Sequence, residues 1–136
     1  MARRAALAAL TLLLAGCVYY PTVADVGGTR IRTENGRAVL EGAGARVYFD
    51  VNSTGKYGDA IVGVAAAPVA RQALVISGGI PVTRLEIPGA TTVKFVPGGP
   101  HVALADLQRP LARGETIIVT LQFEKSGGIG VVTVIE

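Results

Sequence analysis

One histidine, one cysteine, one methionine and no tryptophan occur in 136 residues, and each scarcity closes a line of chemistry. A single cysteine, Cys17, has no partner for a disulfide within the chain, so stability has to come from packing. A single histidine, His101, excludes the imidazole and thiolate clusters that build most zinc and copper sites. Charge is sparse as well, at 17% of residues. The formal net charge of +3 falls to +1 once Arg3 and Arg4 leave with the leader described next, so no nucleic-acid or polyphosphate partner is expected.

Apolar residues are plentiful, at 50% of the chain, and they are punctuated by 18 glycines and 7 prolines. The opening MARRAALAALTLLLAGCVYY sets two arginines before an apolar run from Ala5 to Ala15, the layout of a bacterial export signal. That run is too short to be a permanent membrane helix. Leu14-Ala15-Gly16-Cys17 resembles the lipobox of bacterial lipoproteins, in which cleavage falls before the cysteine and the thiol is acylated. The expected organisation is a signal peptide over residues 1–16, a lipid-anchored tether over 17–29 and one β domain over 30–136. Val18 is not the aspartate that resembles an inner-membrane retention signal, so in a two-membrane cell the outer membrane is favoured. The tether, which holds Pro21 and Gly27-Gly28, could equally contribute an edge strand.

From Arg30 onward the apolar period is mostly two. Val47, Phe49 and Val51 alternate with polar neighbours, as do Ile117, Val119, Leu121 and Phe123, which is the pattern of strands with one buried face. Further strands are predicted over residues 38–41, 60–66, 71–77, 82–87, 91–96, 101–104 and 129–135. Gly and Pro separate them, as in Gly78-Gly79 and Pro97-Gly98-Gly99-Pro100. About 7–9 short antiparallel strands with no long helical pattern indicate an all-β sandwich.

Little here suggests catalysis. A serine nucleophile would have to join His101 to Ser53, Ser77 or Ser126, all in turn-like segments. No carboxylate pair stands out in an apolar setting, and the Gly-Gly pairs lead into strands, not into phosphate-binding helices. The chain is therefore expected not to be an enzyme.

Two long stretches carry a family resemblance: GARVYFDVNSTGKYGDAIVGVAAAPVA, and IPGATTVKFVPGGPHVALADLQRPLARGETIIVTLQFEKSGGIGVVTV. The spacing from Ile87-Pro88 to Pro97-Gly98-Gly99-x-His101, and Arg109-Pro110-Leu111 before Leu121-x-Phe123-Glu124, resemble the periplasmic copper chaperones of the PCuAC family. These deliver copper to the Cu(A) centre of cytochrome oxidase. The resemblance runs from about Ile31 to the C-terminus and implies a cupredoxin-like Greek-key β-sandwich in an exported protein.

The family's copper ligands carry over at one position only, the histidine at His101. The methionine of the same pair falls on Ala103, the middle methionine near Gly79 and the first ligand near Ile76, where several residues of a hairpin are also missing. Cuprous copper needs soft donors besides imidazole, so a tight site within one chain is not expected. His101 is thus either a scaffold histidine beside a turn or a ligand in a weak site shared between molecules or with a carboxylate such as Asp106. No cofactor other than weakly bound copper is expected. The anticipated partners are the membrane, through Cys17, and a protein of the envelope bound at a sheet edge.

Overall fold

The computed structural model of the chain describes residues 28–136. The expected leader, Cys17 and all of the tether up to residue 27 lie outside the described residues. Ten strands and no helix occur among the described residues. They are β1 (Ile31–Glu41), β2 (Gly44–Ser53), β3 (Asp59–Ala65), β4 (Ala70–Ser77), β5 (Ile80–Val82), β6 (Leu85–Ile87), β7 (Thr91–Phe95), β8 (His101–Leu107), β9 (Thr116–Phe123) and β10 (Gly127–Ile135).

The period-two segments bury one face as their spacing requires. On β9, Ile117, Val119, Leu121 and Phe123 are buried while Thr116, Ile118 and Gln122 face out. Val47, Phe49 and Val51 of β2 meet them in a single core that also takes in Ile61, Ile87, Phe95, Val102, Val131 and Ile135. The described members of that core lie between Ala38 and Ile135.

Hydrogen bonding runs in the order β5-β4-β8-β2-β1-β10-β9-β3-β6, with β7 joined to β2 beside β8. The two ends of this path, β5 and β6, are linked in sequence by residues 83–84, so the sheet curls almost shut.

The all-β reading holds, with three differences of detail. The strands number ten, because the predicted strand over 82–87 is two: β5 pairs with β4 and β6 with β3. One run of residues cannot serve two opposite edges without breaking. Next, β1 begins at Ile31 rather than 38, passing Asn35-Gly36 as a bulge and not a turn; the register shifts between Glu34 and Arg37 and Asn35 has φ 59°. Finally, the sheet is not wholly antiparallel, since β1 and β10 pair in parallel through Gly36↔Thr133 and Ala38↔Ile135. Gly36 lies so close to the Val132 carbonyl that a β-carbon would collide with it.

Candidate functional site

β7 and β8 are two halves of one line along β2: β7 covers Phe49 to Ser53 and β8 covers Ala45 to Val47. Between them Pro97-Gly98-Gly99-Pro100 loops out, with Gly98 at φ 85° and Gly99 N–H donating to Val96 O at 2.9 Å. His101 opens β8 immediately after that loop and is half-buried.

Its neighbours are now explicit. Ile76 of β4 is its cross-strand partner, and Ala103, two residues along β8, points to the same face opposite Leu74. The Tyr48 ring lies 6.1 Å away, tilted by 55°, and carries the Arg37 guanidinium 5.4 Å from its own centroid. The His101 Nδ1 atom is 3.4 Å from Gly99 O, so a proton on Nδ1 points there and Nε2 is the nitrogen left to bind.

Two of the three positions that the sequence matched to missing ligands, 76 and 103, therefore flank His101 with an isoleucine and an alanine. Gly79 lies in the tight turn from Ser77 to Ile80, where Gly78 and Gly79 take φ 65° and 81°. That turn is the shortest a hairpin uses and presents no side chain. No group of three or more His, Cys, Asp or Glu is placed to hold a metal among the described residues.

Asp106 does not join His101. It sits five residues along β8, roughly 16 Å at the usual strand rise, and its carboxylate faces the Arg71 guanidinium at 3.9 Å. Nor does any serine hydrogen-bond to His101 among the described residues. Ser126 is committed elsewhere, Ser53 ends β2 and Ser77 follows Ile76, on the opposite face of β4.

A carboxylate that sequence reasoning missed is the most engaged polar group described. Asp59, at the start of β3, is 4% exposed and accepts the Ser126 hydroxyl at 2.6 Å. It also accepts the N–H groups of Ser126 at 2.9 Å, Lys125 at 2.9 Å and Ala60 at 2.8 Å. Burial works to raise its pKa, but the Ser126 hydroxyl and those three N–H groups together hold it below the ordinary value. So engaged, the carboxylate fastens the β9–β10 turn to β3. Beside it Arg84 spans Glu86 at 2.6 Å and Glu124; the hydrogen bond from Arg84 chiefly lowers the Glu124 pKa. The sequence signal for Asp59 was an acid heading an apolar strand, which composition alone does not distinguish from a surface residue.

Comparison with known proteins agrees with this architecture. Copper-bound PCuAC domain from PmoF2 superposes with a TM-score of 0.70 at 22% identity, covering 80% of this chain and 97% of that one. The Cu(I) form of DR1885 from Deinococcus radiodurans gives 0.66 at 22% identity over 82% and 78%. The fold is thus the cupredoxin-like PCuAC fold that the sequence resemblance implied. A protein of Leifsonia xyli subsp. xyli named "Putative lipoprotein Lxx21020" is 31% identical over 134 residues, 89% of this chain and 81% of that protein. The family model described as "Putative lipoprotein LpqE-like" matches residues 26–135. With most of the chain so matched, this protein belongs to the LpqE-like lipoprotein family.

Proposed function

We propose that this protein is exported and anchored through acylated Cys17, and that its PCuAC-type sandwich acts without catalysis as a protein-binding or accessory element of the cell envelope. The observation that carries this reading is the surrounding of His101: Ile76 opposite, Ala103 and Leu74 beside, and no group of three or more His, Cys, Asp or Glu placed to hold a metal among the described residues. Such a setting supplies one hard-to-soft borderline ligand where cuprous copper needs two or three. Asp59, the buried carboxylate described, spends its lone pairs on a turn, which supports a non-enzymatic role.

A partner has an edge to use. Of the strands with one side unpaired among the described residues, β5 carries Pro81 and β6 has three residues, whereas β7 offers Thr91-Thr92-Val93-Lys94-Phe95 paired on the β2 side alone. An extended segment could add there through backbone hydrogen bonds.

A second reading draws on the copper bound in the PmoF2 and DR1885 structures. In it the chain carries copper for Cu(A) assembly of cytochrome oxidase, with His101 completing a site between two molecules or with a partner. An anaerobic competition titration of Cu(I), then Cu(II), on the chain from Val18 onward separates the two, run beside His101→Ala. Failure to compete with a micromolar chelator supports the first reading. Tight uptake at half a copper per chain, lost in the variant, replaces it with the second.

A further inference from the structure

The largest cavity described lies away from His101, over the end of β2 where β1, β2 and β7 run side by side. It is an open groove of about 750 Å³ lined by Arg32 and Glu34 of β1, Asn52 and Ser53 of β2, Thr54, and Thr92 of β7, among others. We propose that this groove binds the hydroxyl-rich face of a neutral saccharide.

The lining is polar almost throughout, and part of it is already fixed. Asn52 Nδ2 donates to Glu34 Oε1 at 2.7 Å, and its Oδ1 accepts from the Thr92 hydroxyl at 2.9 Å. Three strands are thereby joined by one side-chain chain lying on their register, since Asn52 pairs with Arg32 on one side and Thr92 on the other. Each member keeps capacity to spare: the second Glu34 oxygen, the second Asn52 N–H, lone pairs on Thr92. Prefixed donors and acceptors lose little freedom on binding.

Charge sets the class. Arg32 and Glu34 are one cation and one anion, and Arg32 has no ion pair among the described residues. A groove with no net charge favours neither a phosphate nor a metal, and its mostly polar lining is poorly suited to a lipid tail. Hydroxyl groups, which both donate and accept, match guanidinium, carboxylate and amide alike.

The proposal does not depend on the reading of His101 or of the β7 edge. It is tested by following backbone amide shifts of the ¹⁵N-labelled chain from Val18 onward during titration with chitotriose and with maltotriose, and with trigalacturonate as the anionic control. Saturable shifts confined to Arg32, Glu34, Asn52, Thr54 and Thr92, insensitive to salt with at least one neutral trisaccharide, are expected. Binding should weaken about tenfold in Asn52→Leu and in Thr92→Val, the latter losing an exposed hydroxyl without disturbing the core. No saturable shift with either neutral sugar overturns the proposal. So does binding that persists unchanged in Thr92→Val, or a preference for trigalacturonate that fades with salt, which would mark an anion site.

Discussion

Ile76 and His101 stand directly opposite each other across the β4–β8 ladder, so the lone imidazole faces a branched hydrocarbon where a second ligand could sit. Cross-strand partners bring their β-carbons to about 4.5–5.5 Å, close enough for two donors to share one metal ion. The double substitution Ile76→His with Ala103→Met is therefore expected to raise Cu(I) affinity by at least about tenfold over wild type. A competition titration with unchanged affinity would show that the backbone here no longer converges on a metal.

Phe49 and Phe95 face each other in the β2–β7 register with ring centroids 4.3 Å apart and planes 21° from parallel, and both are fully buried. Phe95→Ala should cost about 3–5 kcal/mol, and Phe95→Leu clearly less, in denaturant unfolding. Equal losses for the two would mean that the site collapses around the smaller side chain.

Asp59 makes stability depend on acid. Its folded pKa lies below the ordinary carboxylate value, so its contribution is complete above the unfolded value of about 4. As pH drops from there through the folded pKa, the unfolded chain takes up the proton first and that contribution disappears. Unfolding free energy measured from neutral to acid pH should fall in that window. In Asp59→Asn the fall should be shallower, on a baseline lowered by about 2 kcal/mol because the N–H groups of Lys125 and Ser126 lose a charged acceptor. An unchanged slope would place the acid sensitivity elsewhere.

Gly36→Ala tests the parallel seam. A methyl group at residue 36 meets the Val132 backbone, which cannot swing aside as a side chain could. A loss of about 1–3 kcal/mol is expected, with hydrogen-exchange protection falling first on β10 between Val131 and Ile135. Loss of protection spread evenly over the domain would refute that localisation.

The alternation of Val47, Phe49 and Val51, and of the apolar residues of β9, was legible because a period of two leaves no other way to bury one face. Positions 76 and 103 were legible through a family pattern, and their juxtaposition with His101 needed the register. What escaped was non-local. Asn35-Gly36 has the composition of a hairpin turn, yet β10 arriving in parallel holds the chain extended there. Nothing within residues 82–87 says that its halves belong to opposite edges. Asp59 likewise earns its low pKa from residues 125–126, far along the sequence.

The parallel pairing of β1 with β10 sets a condition on timing. A chain emerging from a ribosome or a translocation pore presents β1 first, yet one side of β1 waits for the final strand, with Gly36 matched to Thr133. Until β10 is through, β1 offers an open ladder on that side, and the curl cannot close. Folding of this domain thus waits for β10, slowed by the long loop that must close between the two strands, with an unfinished edge exposed meanwhile.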